Sequence, residues 1–198
     1  MKITKGHLDK DNNYIGPDLS EVSCNIYSDP NLGTIKFKSL VVKFGIYLST
    51  GSGIEAGEGI KAGWGIKAGS GIEAGEGIKA GEGIKAGWGI KAGWGIKAGE
   101  GIKVGWGIEA GFSIKSKWIS SKLRIFAGLC IWRKPTKEES QIQVEEFRGG
   151  EVCFGELVII KPAPVINPIE YIEISGVRFD KGEVEKRLSG LKPVFVEV

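Results

Sequence analysis

The sequence has very few of the residues from which most catalytic sites are built. It holds one histidine, His7, in a polar segment, together with three cysteines and one methionine. A serine triad, a Cys/His pair and a multi-histidine metal cluster all need a histidine held in a fixed place. We therefore predict no catalytic activity, no metal and no cofactor, and carboxylate chemistry is the only enzymatic alternative left open.

Long apolar runs and a disulfide framework are lacking too. No run approaches the ~18 apolar residues of a membrane span, and the opening segment, MKITKGHLDKDNNY, lacks the apolar core of a signal peptide. Cys24, Cys130 and Cys153 are too few and too scattered for a disulfide framework. These features predict a cytoplasmic protein without membrane contact, and the apolar neighbours of Cys130 and Cys153 predict core positions for both.

What the sequence has in excess is glycine, which occurs 32 times. From Leu48 to about Trp118 most of these glycines belong to a six-residue repeat of Ile, Lys or Glu, Ala, Gly, a variable residue and Gly. An α-helix needs apolar spacing near 3.6 and does not tolerate two glycines in every six residues. The repeat predicts a solenoid of very short strands with isoleucines inside and glycines at corners, where positive φ is cheap for this residue.

Residues 18 positions apart should stack if the coil has three sides of six residues. The residue after each isoleucine supports this, because steps of 18 give Glu55, Glu73, Lys91 and Glu109 on one side and only lysines, Lys61, Lys79, Lys97 and Lys115, on another. Duplication of an 18-residue unit would give the same pattern. We predict a mainly β protein, a three-sided β-solenoid (β-helix) whose repeat makes about four turns, in which Ile66, Ile84 and Ile102 stack.

The flanks predict caps for this coil. Residues 1–33 are a polar leader, residues 34–47 are predicted N-terminal cap strands, 48–119 are the hexapeptide-repeat solenoid, and 120–198 form a small C-terminal α+β cap. Within that last segment we expect strands in EVCFGELVIIK and IEYIEISGVRF, a short helix in DKGEVEKRLSGL and a final strand in KPVFVEV. Once the six-residue phase is lost after Trp118, SKLRIFAGLCIWR suggests one or two larger, distorted turns.

The variable position, two residues before each isoleucine, carries Ser, Glu or Trp, which no tightly packed interior accepts interchangeably. We therefore expect it to point outward, with Trp88 over Trp106 and Trp94 over Phe112. Outward aromatic residues are either a binding surface or covered by the chain itself, and both alternatives stay open. The binding interpretation takes aromatic residues as anchors and lysines as a rim: Trp88, Trp94, Trp106, Phe112, Trp118, Lys85, Lys91, Lys103 and Lys115.

These residues favour a non-enzymatic protein-binding module. One alternative is a single-stranded nucleic-acid-binding protein, because each tryptophan of the array follows a lysine by three residues, although lysines and glutamates nearly balance across the repeat. A structural or assembly solenoid is a further alternative. Homo-oligomerisation is compatible with each of them.

Two segments, LVVKFGIYLSTGSGIEAGEGIKAGWGIKAG and LRIFAGLCIWR, resemble a family of proteins from phages and mobile elements of Gram-positive bacteria. The resemblance covers most of residues 34–134 and implies an inhibitor of bacterial defence, such as an anti-CRISPR protein, whose partner is a host protein or ribonucleoprotein complex. The repeat is also similar to the left-handed hexapeptide helices of acyltransferases. It departs from them because Trp, Glu or Ser replaces their small inward residue and their catalytic histidine has no counterpart.

Overall fold

The computed structural model describes residues 1–161, 171–174, 177–181 and 185–186. The chain forms two compact units, Met1–Lys161 and Pro162–Val198. The first unit is a parallel β-solenoid of about seven stacked turns, as the six-residue repeat predicts. It is consistent with the hexapeptide-repeat β-helix architecture.

From Ile26 to Lys115 each turn of the coil contributes one short strand to each of three faces, and the chain visits the faces in the same order. The first face contains β1 (Lys2–Ile3), β2 (Ile26–Ser28), β5 (Ile46–Tyr47), β8 (Ile66–Ala68), β11 (Ile84–Ala86) and β14 (Gly101–Val104). The second face contains β3 (Gly33–Phe37), β6 (Ser52–Ala56), β9 (Ile72–Ala74), β12 (Ile90–Ala92) and β15 (Ile108–Ala110). The third face contains β4 (Leu40–Val42), β7 (Ile60–Ala62), β10 (Ile78–Ala80), β13 (Ile96–Ala98), β16 (Ile114–Lys115), β18 (Gln141–Val144) and β20 (Glu156–Ile159).

Two longer strands run along both the first and the second face. They are β17 (Trp118–Ala127) and β19 (Glu146–Phe154), and β19 stacks in parallel on β17. Because β17 pairs with β14 at its start and with β15 at its end, the two faces join into one 13-stranded sheet. Two short 3-10 helices, Lys5–His7 and Glu138–Ser140, interrupt the strands.

The predicted 18-residue register is confirmed. Ile84 pairs with Ile66 on one side and with Ile102 on the other, so the three isoleucines stack. Within each Ile-Lys-Ala strand the isoleucine and the alanine are buried and the lysine between them is exposed. The core is therefore lined by two inward residues per strand, because side chains alternate between the two sides of a β-strand. The sequence analysis had assigned only the isoleucine to it.

The reason for the repeat glycines differs from the prediction. Among the described residues, glycines with positive φ are Gly33, Gly51, Gly128, Gly149, Gly150 and Gly155, and of these Gly51 alone lies within the repeat, in its first hexad. In the repeat the first corner glycine is needed for close stacking: a Cβ on Gly87 would overlap the carbonyl oxygen of Gly69 in the turn before it. The expectation of positive φ at the repeat corners is correct for Gly51 and wrong for the other corner glycines, where stacked backbones, not turn dihedrals, exclude a side chain.

Stacking continues beyond both predicted boundaries of the repeat. The segment predicted as a polar leader supplies β1 and β2, whose Ile3 and Ile26 are completely buried. Residues 34–47 pair strand by strand with the next turn, at a spacing of 19 residues for Ile35 and Ile54 and 20 for Leu40 and Ile60. Extra residues are accommodated at the corners while the inward positions stay in register.

The C-terminal turns of the solenoid are less regular. Ile119 follows its partner Ile102 by 17 residues, whereas Ile142 follows Ile114 by 28. The longer spacing contains an excursion over residues 128–140 that leaves the coil and returns at β18. Cys130 in this excursion is half-buried and Cys153 in β19 is exposed, so the prediction of core positions for them was wrong. Both lie where the chain departs from the regular alternation.

In the second unit the structure describes a β-hairpin. Strand β21 (Tyr171–Ile174) pairs antiparallel with β22 (Val177–Asp180), within the segment IEYIEISGVRF that predicts strands. A helix is predicted in DKGEVEKRLSGL, and within this segment Lys181, Glu185 and Lys186 are helical. The predicted strand KPVFVEV lies outside the described residues.

Candidate functional site

The outward surface of the solenoid consists of three faces and three corners. Backbone hydrogen bonds stack the corner residues of successive turns in columns. Corner one, between the first and second faces, contains Ser70, Trp88, Trp106 and Leu123; corner two, between the second and third faces, contains Glu58, Glu76, Trp94 and Phe112; corner three, between the third and first faces, contains Trp64, Glu82, Glu100 and Lys117. The aromatic residues of the repeat are therefore distributed over all three corners.

Corner one carries the best-defined aromatic pair. The rings of Trp88 and Trp106 are nearly parallel, at 9° between planes and 5.6 Å between centroids, as their 18-residue spacing predicts. Their side chains are 54% and 57% exposed. The ladder fixes the backbone of both residues, because the Trp106 amide donates to the Trp88 carbonyl oxygen at 3.0 Å. The pair is thus a rigid, solvent-facing aromatic platform.

The serines at the variable position do not point outward as expected. Ser52 and Ser70 are buried, and the Ser52 hydroxyl donates to the Asp29 carbonyl oxygen at 3.0 Å and accepts from the Leu32 amide at 3.2 Å. A hydroxymethyl group is small enough to fit under the neighbouring turn, and here its hydrogen bonds are satisfied. The prediction of an outward side chain is correct for the exposed Trp and Glu residues and wrong for these two serines.

The second face, next to the tryptophan pair, carries charges of both signs. Glu73, Lys91 and Glu109 stack in neighbouring strands, and Lys91 Nζ lies 3.7 Å from Glu73 Oε1. A groove of about 450 Å³ separates this ladder from Trp88 and Trp106. The ion pair is exposed and contributes little to stability, but it balances the charge along the floor of the groove.

The excursion over residues 128–140 borders the same ladder on its other side. Leu129, Ile131 and Trp132 face Lys91 and Glu109 across a cavity of about 420 Å³. Ile131 is 95% exposed and Trp132 is 56% exposed. The second face is therefore flanked by two apolar ridges, one from corner one and the other from the excursion.

An ion pair between Arg133 and Glu139 joins two parts of the excursion. The two terminal nitrogens of the Arg133 guanidinium donate to Glu139, at 2.6 and 2.7 Å, and the Thr136 amide donates to the same carboxylate at 3.0 Å. The hydrogen bonds from Arg133 and then from Thr136 lower the pKa of Glu139 to about 2. Arg133 also lies 4.5 Å from the centre of the Phe112 ring, and Trp132 packs edge-on against that ring at 6.1 Å.

Three of the five predicted aromatic anchors lie apart from the tryptophan pair. Phe112 is partly covered by Trp132 and Arg133. For this residue the alternative holds in which the chain itself covers an outward aromatic side chain. Trp118 is partly covered by Arg148, whose guanidinium carbon lies 4.3 Å from the ring centre. Trp94 borders a groove on the third face. The structure thus brings Trp88 and Trp106 together and separates Trp94, Phe112 and Trp118 from them.

The predicted rim lysines also divide between the faces. Lys91 lies on the second face, Lys85 and Lys103 lie on the first face, and Lys115 lies on the third face. The sequence analysis missed Leu123, Ile131 and Trp132 as surface residues. The signal for them was the loss of six-residue phase in RIFAGLCIWR, where apolar residues continue without a repeat to bury them.

Other functional groups are sparse in the part of the chain that the structure describes. It contains no cluster of three His, Cys, Asp or Glu side chains that could hold a metal ion, and none of its helices is long and apolar enough to cross a membrane. His7 lies in the first 3-10 helix, where its Nδ1 accepts from the Thr4 amide at 3.0 Å. Comparisons with protein-family models, curated proteins and solved structures find no match.

Proposed function

We propose that the protein is a non-enzymatic protein-binding module. Its binding site is the aromatic surface, which we define as Trp88, Trp106 and Leu123 on one ridge and Ile131 and Trp132 on the other. The observation that supports it best is the Trp88–Trp106 pair, which is more than half exposed although it belongs to a rigid ladder. The resemblance to phage and mobile-element proteins implies inhibition of a bacterial defence complex, and this partner stays a prediction.

Folding alone gives no reason to expose these rings. The chain itself has Glu82 and Glu100 at equivalent corner positions of neighbouring turns, so the repeat does not need an aromatic residue there. Clustered exposed apolar side chains lower solubility and are typical of binding surfaces. Tryptophan is enriched among the residues that dominate binding energies, since it buries a large area at low entropic cost.

The charge pattern of the second face also favours a protein partner. Glu73, Lys91 and Glu109 alternate in sign between the two ridges, so this face has no excess positive charge to attract phosphate. Protein interfaces combine an apolar centre with polar groups that can form hydrogen bonds and ion pairs. Binding here should therefore depend only weakly on salt concentration.

Affinity capture from a bacterial host, followed by measurement with the purified captured protein, tests this proposal. The double variant Trp88→Ala/Trp106→Ala should bind at least ~30-fold more weakly, as expected for loss of central aromatic anchors worth about 2 kcal/mol or more. The matched control is Trp64→Ala/Trp94→Ala, which removes two tryptophans from the other corners and should bind as the wild type does.

Unfolding measurements separate binding from stability. Because both rings of the pair are exposed, their removal should cost only about 1 kcal/mol, the scale of one aromatic contact. Equal binding by the two double variants, or a failure of the wild type to bind any protein, would contradict the proposal. The latter outcome, together with self-association, would favour a structural or assembly role.

A further inference from the structure

The third face carries an uninterrupted column of lysines. Lys79 pairs with Lys61 and with Lys97, and Lys97 pairs with Lys115. All four side chains are exposed, and none takes part in the ion pairs found among the described residues. The column ends at neutral residues, Val41 before it and Gln143 after it.

Such a column is unfavourable for the fold by itself. Neighbouring strands are ~4.8 Å apart, and like charges directly opposite each other in a sheet destabilise it. On the second face Lys91 stands between Glu73 and Glu109, so like charges meet there only at Glu55 and Glu73. The first face carries a shorter column of three lysines, Lys67, Lys85 and Lys103. The third face keeps its repulsion over four turns, and a bound chain of negative charges would relieve it.

A groove runs along this lysine column. Its volume is about 580 Å³, the largest of the grooves described above, and Trp94 lines it from corner two. Glu76 and Glu58 also line it, one turn and two turns before Trp94 in the same corner. Positive charge is thus least compensated at the end formed by Lys97 and Lys115, where Trp94 is 46% exposed.

We propose that this groove binds single-stranded nucleic acid, with the lysines on phosphates and Trp94 stacked on a base. Proteins that bind single strands without sequence preference combine a positive groove with aromatic stacking platforms. The column is ~14 Å long at the strand spacing of a sheet, which matches about four nucleotides of a stacked strand at ~3.4 Å each. The inference is independent of the protein-binding function, because it uses another face and other residues.

Two triple variants of the full-length protein test which face binds. Lys79→Gln/Lys97→Gln/Lys115→Gln removes three charges from the third face, and Lys67→Gln/Lys85→Gln/Lys103→Gln removes three from the first face in nearly the same repeat context. Binding of a fluorescent oligothymidylate is measured by anisotropy over a range of salt concentrations. The third-face variant should weaken binding and lower the slope of log affinity against log salt by about 2, from ~0.7 per phosphate contact. The first-face variant should retain the wild-type slope.

The stacking role of Trp94 is tested separately. Trp94→Ser should weaken oligothymidylate binding about tenfold, the scale of one base–aromatic stack, whereas Trp88→Ser should leave it unchanged. Equal losses in the two triple variants, or no binding by the wild type, would overturn the proposal. So would unchanged affinity of Trp94→Ser combined with equal competition by inorganic polyphosphate, because the groove would then bind any polyanion. The two proposals can fail separately. Trp88→Ala/Trp106→Ala should lose affinity for the protein partner but bind the oligonucleotide as the wild type does, because neither residue lines the groove of the third face.

Discussion

The regular turns between residues 53 and 99 and the irregular turns before residue 53 stack in the same way but are held together differently. The side chains of residues 53–99, all of which the structure describes, form no hydrogen bond. Their turns are joined by backbone hydrogen bonds, the inward isoleucines and the exposed Lys91–Glu73 ion pair. In the upstream turns side chains bridge the backbone: the Ser49 hydroxyl donates to the Ser28 carbonyl oxygen at 2.7 Å, and Asn25 Oδ1 accepts from the Gly45 amide at 2.8 Å.

This difference shows that turns of equal length do not need side-chain hydrogen bonds to hold them together. When every turn has the same length, backbone amides meet carbonyl oxygens of the turns before and after them, and the two glycines per corner allow close contact. When a turn carries one or two extra residues, some backbone groups lose that partner. Serine and asparagine side chains then supply the hydrogen bond, because buried polar groups without one are costly.

The largest effect is expected from a glycine of the regular turns. A Cβ on Gly87 would overlap the Gly69 carbonyl oxygen, so Gly87→Ala should lower the free energy of unfolding by about 3 kcal/mol, as overpacking does. Chemical denaturation measures this loss.

The control for this substitution is Gly89→Ala, on the other side of Trp88. A Cβ there would stand 3.1 Å from the Gly107 carbonyl oxygen, and Ser113 already occupies the equivalent position of a later turn. The cost should stay below about 1 kcal/mol. Equal costs at the two glycines would contradict the role assigned to close stacking.

A smaller effect is expected from a serine of the irregular turns. Ser52→Ala removes one hydrogen bond that the hydroxyl donates to Asp29 and one that it accepts from Leu32, at a cost of about 1 to 2 kcal/mol. Ser70→Ala changes the same position in a regular turn, where the serine is buried without a side-chain bond to another turn, and should cost less than ~0.5 kcal/mol. Should Ser70→Ala prove the more damaging, the contrast between the two regions does not hold.

The smallest effect is local and depends on pH. Because the folded-state pKa of Glu139 is lowered from 4.5 to about 2, the contribution of its Arg133 contact is complete above pH 4.5 and is lost as the pH falls toward 2. Amide exchange in residues 128–140 should therefore quicken in that range after correction for intrinsic rates. Glu139→Gln should remove this dependence, and Glu138→Gln is the control. Identical profiles for the wild type and Glu139→Gln would exclude this contact as the cause.

The candidate site was only partly predictable from the sequence. The stack of Trp88 on Trp106 follows from an 18-residue spacing, and the lysine column of the third face follows from the same arithmetic. The spacing could not show that Arg133 lies over Phe112 or that Arg148 lies over Trp118. Those contacts come from segments that have lost the repeat, where position in the chain no longer indicates position in the coil.

By itself the sequence predicted the three-sided coil, its register and its buried isoleucines, because the six-residue period gives each side one isoleucine and the pattern at steps of 18 residues indicates three sides per turn. Only the tertiary structure decided where the coil begins and ends, since Ile3, Ile26 and Ile142 join the core across turns of unequal length. It also decided which aromatic rings stay exposed. Exposure depends on what packs over a side chain, and over Phe112 and Trp118 the covering residues come from parts of the chain outside the repeat.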